Sequence, residues 1–253
     1  MNQISQLNQE IINTYDDICQ RFDLFLEEYA STRGKKHISD IVPMFYNNFN
    51  ETSDKILFVG INPSFSKNFY SSIDHNLFKY SFFRSKDFDE KASIVNELIR
   101  IQEGLINGNQ NDVSQIQYFK QLQKFAIKIG YENSWNHFDI FPNRCTDQEI
   151  FIKVLEKDDF NGYKYACIKR FEKLLEIHPF KAIFILNKAS SIFVKNNFNN
   201  LTKIRQFSEF RNDIYGIYEF NKSPIILFKQ LSQGATSNYE LEIFKKIVNE
   251  HIN

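Results

Sequence analysis

Four short apolar runs constrain this chain more than any other feature: 55–60 (KILFVG), 137–141 (HFDIF), 181–186 (KAIFIL) and 224–228 (PIILF). Each is too short for a core helix and rich in β-formers. Their near-continuous apolar character, interrupted in the second by His137 and Asp139, reads as that of strands buried on both faces. A fifth run, 214–220, precedes the last across a turn at 221–223, and the pattern leaves open whether that pair is an antiparallel hairpin at one edge.

Helical periodicities fill the intervals. Leu7, Ile11, Tyr15, Ile18, Phe22, Phe25 and Tyr29 step by three or four, the spacing of an amphipathic helix covering a core. Helices are also expected over 92–102, from 116 to 129 with Gly130 as its cap, and over 163–177, 189–195 and 238–251. The stretch 61–90 is long, aromatic and without clean period. Strands separated by helices imply a three-layer α/β/α fold around a central, mostly parallel sheet of four or five strands. With neither repeat nor linker, 1–253 is expected to be one domain, residues 1–50 forming a helical extension packed on it.

Composition narrows the function classes. Lys plus Arg and Asp plus Glu each number 31, so the chain is not held to nucleic acid by bulk charge. Only 8 glycines and 5 prolines against 27 phenylalanines exclude collagen-like and disordered classes. Cys19, Cys145 and Cys167 lie far apart, which supports neither a disulfide framework nor a cysteine-only metal site, and no metal or cofactor is expected. Residues 1–10 lack a signal-peptide pattern and no apolar run reaches membrane-spanning length, so a cytoplasmic, monomeric protein is expected.

In open α/β sheets ligands bind beyond the carboxyl ends of the strands. The residues there are Gly60-Ile61-Asn62-Pro63 after the first strand, Asp139 and Asn143 around the end of the second, Asn187 after the third, and 229–234 after the last. Gly60 permits close backbone approach, Pro63 fixes the next bend, and Asn62 between them offers a donor and an acceptor.

These segments, taken in order, resemble the uracil-DNA glycosylase superfamily, in particular its mismatch-specific uracil/thymine branch, whose first motif is Gly-x-Asn-Pro after a buried strand. His75-Asn76-Leu77-Phe78 is similar to that branch's Asn-x-Phe segment, 137–148 (HFDIFPNRCTDQ) to its second-strand region, and 182–190 (AIFILNKAS) to its third-strand exit. The last motif departs. Where the family has His or Asn followed by Pro-Ser, this chain has Lys229-Gln230-Leu231-Ser232-Gln233-Gly234, closer to a divergent bacterial subgroup. The resemblance covers about residues 55–250.

The resemblance implies a monofunctional DNA glycosylase of base-excision repair, a hydrolase that flips a uracil, mismatched thymine or modified pyrimidine and cleaves its N-glycosidic bond with water and no metal. Asn62 takes the water-positioning place. As an amide it accepts no proton, so a slow enzyme is expected. Phe65 or Phe69 is the stacking platform, with core packing the plainer reading of each. Asp139 takes the place of the base-reading asparagine, or Asn143 does if the strand ends later; an ionised Asp139 accepts only, which suits an amino-bearing edge better than uracil. Lys229 or Gln230 replaces the family's histidine as donor to the leaving base. Ser232 and Gly234 ahead of the last helix would offer backbone N–H groups to a phosphate. Leu231 reads as a wedge or as core, Asn187 as a DNA contact or pocket support, and His137 as structural. Arg33, Lys35, Lys36, Lys188, Lys195, Lys203, Arg205 and Arg211 supply local positive charge. Two other readings stand beside the enzyme: a DNA-binding module of the same fold that has lost the reaction, and a small-molecule α/β protein. The latter lacks the Gly-rich phosphate and nucleophile-elbow fingerprints.

Overall fold

A computed structural model describes residues 3–15, 20–32, 34, 40–46, 54–63, 75–107, 117–145, 147–210, 212–231 and 236–252. Phe65, Phe69, Ser232 and Gly234 lie outside the described residues, as do Arg33, Lys35, Lys36 and Arg211. The protein is α/β, with nine helices of five or more residues and six strands described. The helices are α1 (Gln3–Thr14), α2 (Gln20–Thr32), α3 (Tyr80–Arg84), α4 (Phe88–Asn107), α5 (Gln117–Lys128), α6 (Gln148–Leu155), α7 (Asn161–Ile177), α8 (Lys188–Asn197) and α9 (Asn238–Ile252). The strands are β1 (Ile56–Gly60), β2 (Trp135–Asp139), β3 (Ala182–Leu186), β4 (Thr202–Gln206), β5 (Gly216–Phe220) and β6 (Ser223–Phe228).

The strands form one sheet in the order β2-β1-β3-β6-β5-β4. β1 runs parallel to β3 and β3 to β6, while β5 is antiparallel to both β6 and β4. All five residues of β1 and of β3 are buried, as continuous apolar runs require. One expectation is corrected: the sheet has six described strands rather than four or five. It is mixed, the pair left open by the sequence being antiparallel. The added strand, β4 (TKIRQ), is a polar edge strand with three exposed residues, so it carries none of the apolar signal used to find the others. The β5–β6 pair is a hairpin whose turn residues Asn221 and Lys222 both have positive φ, 49° and 66°. Such a turn matches strand twist and explains the reversal.

The chain folds as two compact units, each built from three separate stretches: 1–48, 61–104 and 139–171 in the first, 49–60, 105–138 and 172–253 in the second. The first is helical and aromatic. Phe22 of α2 packs on Phe151, Phe160 and Tyr163, and Phe141 on Phe151 and Tyr163. Asn8 of α1 ties itself to the segment 41–46 by donating to the Tyr46 carbonyl at 3.0 Å and accepting from the Tyr46 amide at 2.7 Å. The second unit carries the sheet except for the last residue of β2. Its core is Ile56, Phe58, Phe125, Phe184, Ile226, Phe228, Phe244 and Val248, with the Phe228 and Phe244 rings stacked 4.0 Å apart at 7°.

Local chemistry sets the helix ends. Helix α4 begins at Phe88, earlier than the apolar periodicity indicates, because Asp87 and Glu90 form a capping box: the Glu90 amide donates to Asp87 at 2.9 Å and the Asp87 amide to Glu90 at 3.3 Å. Helix α5 ends as its glycine predicts. Gly130, at φ 85°, donates to the Ile127 carbonyl and Tyr131 to that of Ala126, the pair of bonds of a Schellman motif.

Candidate active site at the strand exits

In the first unit the residues that follow β1 and those that end and follow β2 are zipped together. The Phe141 amide donates to the Ile61 carbonyl at 2.8 Å and the Cys145 amide to the Pro63 carbonyl at 2.9 Å. Asn62, buried at 5 % exposure, completes the join by donating from Nδ2 to the Cys145 carbonyl at 2.5 Å. That bond fixes the carboxamide plane, and its other end, Oδ1, accepts no hydrogen bond among the described residues. Buried polar atoms are nearly always satisfied, so a fixed, desolvated acceptor of this kind is the feature of the unit most suited to holding a water or a ligand donor.

Asp139, the last residue of β2, is 3 % exposed. Burial pushes its carboxyl up to about 7, against the opposing pull of the Arg144 guanidinium. At neutral pH it therefore exists in large part as a neutral acid, with one donor and one acceptor. The acceptor-only character expected of Asp139 belongs to its ionised form alone. Asn143 is fully buried, and its Oδ1 accepts the hydroxyl of Tyr163 on α7. That oxygen is thereby committed within the protein. Ile61 and Pro63 are buried beside them, and Gly60 is the buried last residue of β1.

The second unit holds the remaining candidates. Asn187 caps α8, its Oδ1 accepting from the amides of Ala189 and Ser190 at 2.9 and 3.2 Å. Ser191 of the same helix places its hydroxyl 3.1 Å from the Ile185 carbonyl and 2.9 Å from that of Phe228, joining the ends of β3 and β6. Lys229 lies 2.7 Å from Glu240. Glu240 also accepts from the amide and hydroxyl of Ser237 at the start of α9, and the Lys229 bond first, then these, hold its carboxyl down to about 2. Gln230 is exposed, and its carbonyl accepts the Thr236 hydroxyl at 2.6 Å. Leu231 packs on the sheet core. His137 is enclosed by the rings of Tyr118 and Phe119 with Nε2 3.2 Å from the Tyr118 hydroxyl, and burial drives it down to about 3, the profile of a structural histidine.

The local basic groups are largely engaged. Lys195 pairs with Asp213 and Arg205 with Glu209 and Glu250, while Lys203 donates to Gln206 and to the Asp213 carbonyl. Among the described residues no cluster of three His, Cys, Asp or Glu could hold a metal ion, and no helix is long and apolar enough to cross a membrane.

Sequence reasoning missed Asp23, Tyr15 and Tyr163, which it treated as positions in amphipathic helices. The available signal was residue choice. In a chain with 27 phenylalanines, a tyrosine at an apolar helical position marks a hydroxyl that has found a partner.

Comparison of the chain with protein-family models, curated proteins and solved structures finds no match.

Proposed function

We propose that this protein is a DNA glycosylase-like hydrolase that acts on an extruded pyrimidine, either uracil, mismatched thymine or a modified pyrimidine, with DNA as its partner and base-excision repair as its setting. The observation that carries the reading is the Asn62 carboxamide, anchored through Nδ2 at 2.5 Å with a buried oxygen that accepts no hydrogen bond among the described residues. An oxygen so placed orients a water by accepting one of its protons. In the reaction the water oxygen bonds to C1′ of the sugar, the C1′–N bond breaks, the electron pair leaves with the base, and the water's proton passes to solvent. No group at Asn62 takes that proton, which makes the step slow.

In this reading Asp139 reads the base as a neutral acid. Its C=O and O–H match the N3–H donor and the O4 acceptor of uracil or thymine, which returns both to the substrate class. The reading also carries a three-layer α/β/α arrangement with β1, β3 and β6 at its parallel centre, and a cytoplasmic location. The test is release of free base from oligonucleotides containing uracil, a G·T mismatch or a modified cytosine. Slow release is expected from the wild type, reduced at least about a hundredfold in Asn62→Ala. Equal release by the two proteins would remove Asn62 from the mechanism.

One observation favours a second reading, a DNA-binding module without the reaction: the cation expected to meet the leaving base, Lys229, is bound to Glu240. Binding of lesion-bearing or single-stranded DNA with no base released, by folded protein, decides for that alternative.

A further inference from the structure

The Asn62 carboxamide is bonded at its nitrogen end to both of the segments that meet around it. Nδ2 donates to the Cys145 carbonyl at 2.5 Å and to the Pro63 carbonyl at 3.4 Å. The Pro63 carbonyl also accepts the Cys145 amide at 2.9 Å, so the three groups close on one another. An amide nitrogen carries two hydrogens, and carbonyls only accept. The orientation of the side chain follows. Turned over, it would set Oδ1 against two carbonyl oxygens, at a place where 5 % exposure leaves little solvent to separate them.

Both carbonyls are held where they are. The segment that ends at Cys145 is tied at Phe141, whose amide donates to the Ile61 carbonyl at 2.8 Å, and at Pro142, whose carbonyl accepts the Met44 amide at 2.8 Å. Beyond it, the Cys145 thiol donates to the Asp147 carbonyl at 3.4 Å, and Asp147 caps α6 by accepting from the Ile150 amide at 3.1 Å. On the other side the pyrrolidine ring of Pro63 fixes its φ.

We propose that the Cys145 and Pro63 carbonyls select an amide at position 62 and exclude a carboxylate there, which makes them positioning groups that confine Asn62 to orienting a donor without taking its proton. An aspartate has nearly the same shape. Ionised, however, it offers only acceptors to the two carbonyls, and protonated it has one hydrogen for both. The catalytic consequence rests on the glycosylase reading: a general base at this place is shut out by the backbone, and the slow route remains. The selection of the amide itself stands apart from that reading.

The experiment compares Asn62→Asp with its parent by denaturant unfolding of the full chain between about pH 4.5 and 8. Both proteins carry Asp139→Asn, which removes the other buried carboxyl of these segments. Asp147, the Cys145 thiol and Arg144, which donates to the Val42 carbonyl at 3.3 Å, are common to the two. A carboxyl facing carbonyls keeps its proton longer in the folded chain than in the unfolded one. The folding constant of the aspartate variant is therefore expected to fall against that of its parent as pH rises, by up to about tenfold per pH unit above the ordinary aspartate value of about 4. Profiles that stay parallel, or a variant that gains on its parent with rising pH, overturn the proposal. If the variant does not fold, the side-chain amide signals of Asn62 in the nitrogen-15 NMR spectrum of the wild type decide. Both protons protected from solvent exchange support the proposal, and exchange at the rate of an exposed asparagine overturns it. Base release is measured alongside in the wild-type background. Faster release by Asn62→Asp than by the wild type also overturns the proposal, whereas no release from the wild type counts against the glycosylase reading and leaves the unfolding profiles to decide the selection of the amide.

Discussion

His137 and Asp139, two residues apart on β2, show what desolvation does to charge: it lowers the imidazole, which is neutral at pH 7, and raises the carboxyl to about 7. The Asp139 shift makes a stability prediction. With a folded value near 7 against 3.8 in the ordinary case, its contribution is complete below 3.8 and lost as pH rises through 7. Asp139→Asn is therefore expected to be more stable than wild type at pH 8, by about 1–3 kcal/mol, and to lose that advantage at pH 4. Denaturant unfolding at the two pH values checks it. At this scale the sequence pointed to Asn62 and Asp139 through their positions after apolar runs, since a polar residue at the end of a buried strand stands out. It did not disclose protonation, because the burial that raises the Asp139 carboxyl against the pull of Arg144 arises only when the chain folds.

Among elements, those defined by apolar continuity or by a glycine stop were legible, and those defined by polar chemistry were less so. The runs that became β1, β3 and β6 are buried in the structure, while β2 starts two residues before its apolar run because Trp135 and His137 are themselves buried. Strand β4 escaped notice because an edge strand needs no apolar face. Its partner explains one glycine. A Cβ on Gly216 of β5 would collide with the Arg205 carbonyl, where the β4 register slips between Lys203 and Arg205. Gly216→Ala is expected to cost about 1–3 kcal/mol, measurable by thermal or denaturant unfolding. Across the hairpin the reverse substitution helps. Lys222 sits at φ 66°, so Lys222→Gly is expected to raise stability by several tenths of a kcal/mol to about 1 kcal/mol. In the first unit, Asn8→Ala leaves the Tyr46 amide and carbonyl without their buried partner and is expected to cost about 2–4 kcal/mol.

For the whole molecule, the order of the chain matters more than its composition. Each unit takes three stretches of sequence, and the chain passes from the second to the first at 60/61 and 138/139, immediately before Asn62 and at Asp139. No continuous fragment contains one unit alone. Charge at this scale sets the expected salt response. Positive and negative residues balance, and Lys195, Arg205 and Lys229, three of the cations expected to meet phosphates, are engaged by acidic partners. Any DNA binding is expected to weaken only gently with salt, the slope of log affinity against log concentration staying shallower than about −3. A titration at several ionic strengths measures it.

The last strand of the sheet bears on how copies of the protein behave when crowded together. Among the described residues β4 ends the sheet with its outer margin unclaimed by another strand, yet it is short, interrupted by a register slip and studded with Lys203 and Arg205. Those traits keep two such margins from stitching into a growing ribbon. The segment that looked least like a strand is thus fitted to guard against fibril formation, and its polarity is what equips it to do so.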